Sequence, residues 1–203
     1  MFKRKQLSLV FAFSLITAFC ATNAGAQTSI GLSLYGAFSG TTAGNGVQQS
    51  PSAAAGGLFE LRHISNPIMG FEATYAYNRS NQVYRCSGTG CLTVVPTAIS
   101  ANAHSVTADW IPSVHFANLR PFGVLGIGAI FTDPAGSQPF TQTSTEVVYV
   151  YGAGLDMTLI PHFGLRLQYR GNLNKAPDIS KLYTSIDTFK HTAQPMAGLY
   201  FNF

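Results

Sequence analysis

A period-two alternation of apolar and polar side chains, recurring in eight segments, constrains this chain most strongly. Successive side chains of a strand point to opposite faces of its sheet, so each segment predicts a strand with one apolar face. The segments span about 9 to 14 residues, the length of a strand that crosses a bilayer. They are 28–38, 54–64, 68–78, 101–111, 119–131, 147–159, 163–171 and 190–203.

The fifth segment is apolar on both faces, which leaves its orientation ambiguous. We favour the orientation in which Leu125, Ile127, Ala129 and Phe131 point outward.

The connections between the predicted strands alternate in length. Short turns at 65–67, 112–118 and 161–162 alternate with long stretches at 39–53, 79–100, 132–146 and 172–189. The long stretches are rich in Ser, Thr, Gly, Asn and Gln, which is typical of flexible exposed loops. This layout predicts an all-β fold, an eight-stranded antiparallel up-and-down transmembrane β-barrel with both termini at the short-turn end.

The composition also indicates a membrane environment. Only 10% of the residues are charged, against roughly 25% in an ordinary soluble domain. The aromatic residues fall near the two ends of the predicted strands, where amphipathic rings contact the bilayer interfaces. Trp110, Phe163, Phe201 and Phe203 lie near the short turns, and a larger set including Tyr75, Tyr149 and Tyr169 lies near the long loops.

Residues 1–26 read as a cleavable signal peptide, which leaves 27–203 as the barrel domain. Lys3, Arg4 and Lys5 precede an apolar run, and Ala24 and Ala26 provide small residues before the cleavage point. Removing the three basic residues leaves nine Lys and Arg against eight Asp and Glu, a net charge of about +1. No basic stripe remains, so we expect no nucleic-acid partner.

The mature chain retains two cysteines, Cys86 and Cys91, separated by a glycine-containing loop. In an exported protein such a pair favours a disulfide. A metal site would need further Cys or His ligands at suitable spacing, and the sequence has none. We therefore predict a disulfide, no metal and no cofactor.

Charged side chains on the inward faces predict a filled lumen. An eight-stranded barrel leaves little interior space, so we expect inward acids and bases to pair rather than line a wet channel. The predicted lumen charge network comprises Glu60, Arg62, Glu72, Asp109, Arg120, Asp156, Arg166 and Arg170, with Arg120 included if the fifth strand faces as favoured.

The chain resembles the OmpA-type or opacity-protein-like family of small outer-membrane barrels. The resemblance rests on Arg120-Pro-Phe122, Tyr151-Gly-Ala-Gly-Leu-Asp156, Phe163-Gly-Leu-Arg-Leu-Gln-Tyr169 and Gly198-Leu-Tyr-Phe-Asn-Phe203. It implies the outer membrane of a Gram-negative-type bacterium and periplasmic N- and C-termini. The terminal Leu199, Phe201 and Phe203 are similar to the family's signal for the outer-membrane assembly machinery. Because the chain ends at Phe203, we do not expect the peptidoglycan-binding domain of longer members.

The function we expect is that of a non-enzymatic membrane barrel without general porin activity. Its partners would be outer-membrane lipid and lipopolysaccharide, the assembly machinery, and any extracellular partner that binds the long loops. We expect a monomer.

Two alternatives remain open. A barrel enzyme that modifies lipid A could use His63, Ser65 and Asn66, although these residues also fit a turn. A secreted lipocalin-like small-molecule binder would have its apolar face inward.

Overall fold

The computed structural model describes residues 27–66, 68–86, 88, 97–136 and 139–203. Over these residues the chain forms ten strands: β1 (Gln27–Ser39), β2 (Thr42–Gly44), β3 (Val47–Pro51), β4 (Ala54–Ile64), β5 (Gly70–Cys86), β6 (Thr97–Trp110), β7 (Leu119–Pro134), β8 (Ser144–Ile160), β9 (Phe163–Lys175) and β10 (Phe189–Asn202). These ranges contain no helix that is long and apolar enough to span a membrane. The predicted signal peptide and Cys91 lie outside the described residues, so the signal peptide and the Cys86–Cys91 disulfide remain predictions.

Eight of the strands close into an antiparallel barrel. β1 pairs with both β4 and β10, the remaining neighbours pair in sequence, and the pairing of β5 with β6 completes the ring. Closure matters because hydrocarbon offers no hydrogen-bond partner to an unpaired strand edge. The eight predicted strands correspond to β1 and β4–β10, so the predicted architecture is confirmed.

The barrel's outer face is apolar and its inner face is polar. Leu32, Leu34 and Leu199 are 67%, 76% and 60% exposed on the outside, whereas Glu60 and Arg166 are fully buried inside. On β7 the favoured orientation is correct, since Leu125, Ile127 and Phe131 are exposed while Phe122 and Val124 are buried. The lipocalin-like alternative is wrong because it requires the opposite arrangement.

The prediction of long flexible loops is partly wrong. β5 continues past Asn78 to Cys86, and a hairpin of β2 and β3 pairs along this extension. The hairpin turns at Asn45 and Gly46, which have φ values of 50° and 75° and suit a two-residue turn of the primed type. The extension is stable because it has its own pairing partner and a buried apolar face.

The last long connection folds over the barrel. We call residues 176–188 the cap segment. The Tyr84 hydroxyl donates a hydrogen bond to the backbone oxygen of Pro177 in this segment at 2.9 Å. The cap segment packs on the strand extensions in a buried apolar cluster made of Val47, Tyr84, Ile99, Ala101, Ala176, Ile179, Tyr183 and Ile186. It therefore covers the end of the barrel that carries the long connections, the long-loop end.

Candidate functional site

Seven of the eight predicted lumen charges come together inside the barrel. They project from β4, β5, β6, β8 and β9, and each is at most 5% exposed. We call them the central ion-pair cluster: Glu60, Arg62, Glu72, Asp109, Asp156, Arg166 and Arg170.

Arg166 holds the cluster together across the barrel. Its Nε and Nη2 donate to the two oxygens of Asp156 at 2.6 and 2.8 Å, a bidentate pair with the neighbouring strand. Its Nη1 donates to Glu60, which lies on β4. One guanidinium thus joins strands that are not neighbours in the sheet.

Arg62 and Arg170 extend the cluster along the barrel. Arg62 donates from Nε to Glu72 Oε2 at 2.6 Å and from Nη1 to Asp156 Oδ2 at 3.0 Å. Arg170 donates from Nη1 to Glu72 Oε1 at 3.2 Å and from Nη2 to Asp109 Oδ2 at 2.9 Å. Glu72 therefore accepts hydrogen bonds from two arginines, and its Oε2 also forms an ion pair with Arg166 Nη1 at 3.7 Å.

Two glycines on neighbouring strands leave room for the carboxylates. A Cβ at Gly31 would overlap the Glu60 side chain, and one at Gly126 would overlap the carboxylate of Asp109. Both glycines lie directly opposite the acid that they accommodate, in the β1–β4 and β6–β7 pairings. Any larger residue at either position would displace a carboxylate from its arginine.

Aromatic rings flank the cluster. The Arg62 guanidinium carbon lies 4.1 Å from the centre of the Phe122 ring, and that of Arg166 lies 5.1 Å from the centre of the Tyr200 ring. Such cation–π contacts are favourable where water is excluded. Phe122 and Tyr200 therefore shield the arginines from solvent.

Arg120, the eighth predicted member, lies beside the cluster without an ion pair. It is half-buried and pairs in register with Asp156, but no ion pair of the described residues includes it. It lines a small cavity at the end with the short turns, together with His115 and Tyr200. Arg120 therefore faces the lumen charges as expected, but it lies at the barrel mouth, where it can remain partly hydrated, and its place in the network stays a prediction.

Each acid of the central ion-pair cluster has an arginine partner. No group of three or more potential metal ligands of the His, Cys, Asp or Glu type is found in the described ranges. Buried charges are costly unless paired, so removing one partner typically destabilises a protein by about 3–5 kcal/mol.

The residues considered for lipid A chemistry have structural contacts. The Nδ1 of His63 is 2.9 Å from the Thr28 hydroxyl. The Asn66 side-chain oxygen accepts hydrogen bonds from the backbone N–H groups of Ile68 and Met69 at 3.0 and 2.9 Å. These bonds form an Asx-type turn between β4 and β5.

Two of the proposed assembly residues, Leu199 and Phe201, lie on β10, and Phe203 follows directly after this strand. Leu199 and Phe203 are largely exposed, and Phe201 packs edge-on against Phe163 with ring centres 4.9 Å apart. The Phe203 N–H donates to the Thr28 backbone oxygen at 3.0 Å, so the chain end is joined to the first strand.

Sequence reasoning missed several contributors to the filled lumen. Thr107 accepts a hydrogen bond from Arg170 at 3.0 Å, and Phe122 stacks on Arg62. The cap segment was predicted as a loop, although Ile179, Tyr183 and Ile186 are apolar residues of the kind that pack. Their spacing of four and then three residues fits one face of a helix, whereas the described segment contains no helix, so the periodicity alone would have indicated the wrong structure.

The outer membrane protein beta-barrel domain is the family whose model matches this chain, over residues 11–201. Neisserial surface protein A (NspA) has the same fold, with a TM-score of 0.51, 16% identity, and coverage of 89% of this chain and 98% of that one. OprG from Pseudomonas aeruginosa has a TM-score of 0.51, 14% identity, and coverage of 90% and 98%.

Ail, the attachment invasion locus protein of Yersinia pestis, has a TM-score of 0.50, 19% identity, and coverage of 88% and 97%. At these identities the likeness concerns the fold. No curated protein matches the chain in sequence. From the family match over nearly its whole length, we conclude that the chain belongs to the outer membrane protein beta-barrel domain family, the small OmpA-like barrels of the Gram-negative outer membrane.

Proposed function

We propose that this protein is a non-enzymatic outer-membrane barrel that presents its long-loop end for recognition at the cell surface. The observation that carries the proposal is the ordered structure of this end. The β2–β3 hairpin and the cap segment are both packed into one apolar cluster, so the described part of this end displays a packed surface.

Solute passage is a poorer explanation of the same structure. The central ion-pair cluster fills the lumen and the cap segment covers one end. A general porin needs a wide aqueous lumen, which an eight-stranded barrel does not provide. We therefore propose that the barrel serves as a membrane anchor and that binding specificity lies in the connections.

The proposal includes an orientation and a set of partners. The long-loop end faces outward, and both termini are periplasmic. Lipid and lipopolysaccharide surround a monomeric barrel, which the assembly machinery inserts through the Leu199, Phe201 and Phe203 face. Arg79 supports this orientation, because it is exposed on β5 beyond Tyr77, where it would meet anionic headgroups.

Labelling intact cells with a membrane-impermeant thiol reagent tests the orientation. Lys181→Cys introduces an exposed thiol in the cap segment, and His115→Cys is the matched exposed position in a short turn. We expect labelling of the first variant in intact cells, and of the second only after the outer membrane is permeabilised. The reverse pattern would refute the orientation.

Cell retention on an array of extracellular-matrix proteins and glycans tests the recognition role. Cells producing the parent should be retained above cells lacking the protein, and Arg85→Ala with Lys181→Ala should reduce that retention. His115→Ala is the control, since it changes an exposed side chain at the opposite end. Equal retention of producing and non-producing cells would count against surface recognition.

A further inference from the structure

A polar cavity lies between the central ion-pair cluster and the cap segment. Its volume is about 40 Å³. The lining includes Pro177 of the cap segment and polar side chains of β5, β9 and β10, among them Asn78, Asn172, Asn174 and Gln194. A space of this size holds roughly two or three water-sized occupants.

Among the described residues that line this cavity, Lys190 is the one that carries a charge. It is only 9% exposed. Neither an ion pair nor a side-chain hydrogen bond involves Lys190 in the described part of the chain. The described residues thus provide no partner that compensates its burial, in contrast to the three arginines of the central cluster.

No carboxylate at this end of the barrel forms an ion pair with Lys190 in the described residues, and this includes Asp178 beside the cavity. Asp187 pairs with Lys175 at 2.5 Å, and Glu146 accepts a hydrogen bond from Ser144 at 3.2 Å. The central cluster is also distant from Lys190. Its nearest point along β10 is Gln194, which lies opposite Arg170 in the β9–β10 pairing. Lys190 is four residues from Gln194, which corresponds to about 13 Å of strand. An ammonium group that faces a cavity without a counter-charge favours an anion in that cavity.

We propose that this cavity is a binding site for one small inorganic anion of halide size, with the Lys190 ammonium as its counter-charge. The amides of Asn172 and Asn174 supply further donors. Each amide nitrogen has two hydrogens, and one of them is already used. Asn172 donates to the Gln194 side-chain oxygen at 3.1 Å, and Asn174 donates to the Lys175 backbone oxygen at 2.7 Å.

The remaining volume accommodates a water beside the anion. The Asn172 Oδ1 atom is buried without a hydrogen-bond partner in the described structure, and a water in the cavity would donate to it. Pro177 lies near the start of the cap segment, and Lys190 follows its end in the sequence. Because both residues line the cavity, an anion bound here would also stabilise the packed cap.

Replacement of gluconate by bromide in the refolded, detergent-solubilised protein tests the site. Crystals grown in bromide should show one anomalous peak within hydrogen-bonding distance of Lys190 Nζ, and none there in Lys190→Met. In solution, bromide should raise the midpoint of heat-induced unfolding, followed by gel mobility. Lys181→Met, which removes an exposed cation of the cap segment, should keep this shift, and Lys190→Met should lose it.

The absence of a peak in the parent, or a peak that persists in Lys190→Met, would overturn the proposal. If Lys190→Met does not fold, a size series in the parent decides. Chloride and bromide should raise the midpoint at constant sodium, and gluconate, which exceeds the cavity, should not. Equal midpoints in all three salts would refute the site.

Discussion

At the scale of single residues, two glycines leave the space that two buried carboxylates of the lumen occupy. Glu60 and Asp109 reach their arginines only because Gly31 and Gly126 leave space opposite them. Arg166 then joins β4 to β8 and β9 through its three bonded nitrogens. The barrel interior is therefore specified by ionic geometry, where a soluble domain would use apolar packing.

Arg166→Ala should destabilise the folded barrel by about 3–5 kcal/mol, because it leaves Glu60 and Asp156 buried without their main partner. Arg120→Ala is the matched control. Arg120 is half-buried and belongs to no ion pair in the described residues, so its loss should cost about 0–1 kcal/mol. Urea unfolding in detergent micelles, followed by gel mobility, measures both. Equal losses would show that the cluster charges are solvated.

The lumen charges could be predicted from the sequence, but their pairing could not. Residue parity along each strand was enough to place Glu72 and Arg170 inside, because a strand has only two faces. Which arginine meets which acid depends on how the strands are staggered around the barrel. For that reason the ion pairs between distant strands, and the position of Arg120 outside those of the described residues, appear only in the structure.

At the scale of elements, the cap segment is a connection that folds as part of the barrel. Lys181 donates its backbone N–H to Phe140 at 2.8 Å, and Gln142 donates to Ile179 at 3.1 Å, so two long connections are bonded to each other. The Asn45–Gly46 turn of the hairpin was a usable sequence signal, since Asn-Gly favours this turn type. The apolar residues of the cap have helical spacing, but they pack without a helix because their partners are residues distant in sequence.

We expect Asp178 to make the stability of the cap segment dependent on pH. Burial raises the pKa of its carboxyl group, so the folded cap favours the protonated form. This contribution is complete below the unfolded pKa and is lost as the pH rises through the higher folded pKa. We expect Asp178→Asn to slow hydrogen exchange of the Lys181 and Gln142 amides at neutral pH.

Below the pKa of an ordinary aspartate, the Asp178→Asn variant and the parent should exchange at the same rate. Lys181→Gln, a change at an exposed position of the same segment, is the control and should leave the pH dependence of the parent intact. Faster exchange in Asp178→Asn at neutral pH would mean that the carboxylate stabilises the cap.

Phe203→Ala, directly after β10, should reduce the assembly of the barrel into the membrane. The terminal aromatic resembles the family's assembly signal, and its exposed ring makes only a tilted contact with Phe201 at 5.9 Å. Its loss should therefore affect insertion more than the stability of the inserted barrel. The fraction of heat-modifiable protein in membranes measures assembly. Phe163 is an exposed aromatic residue at the same short-turn end, and Phe163→Ala should assemble normally. Equal assembly defects in the two variants would indicate a general requirement for aromatic residues at this end.

At the scale of the whole molecule, the lumen is obstructed at two levels. The central ion-pair cluster fills the barrel interior, and the apolar cluster of the cap segment covers the long-loop end. The two obstructions share no residue and are separated by the polar cavity. They differ in physical kind, one ionic and one apolar, so mutations can remove them separately.

In planar bilayers the parent should give no stable porin-sized conductance. Replacing residues 178–187 with a Gly/Ser linker of equal length removes the cap but leaves every residue of the central cluster, so this variant should also stay closed. Conductance should appear only when Arg62→Ala and Glu72→Ala are added, because together these changes remove two large side chains from the centre of the lumen. A steady large conductance in the parent would mean that the lumen passes solutes, and opening by the linker alone would assign closure to the cap.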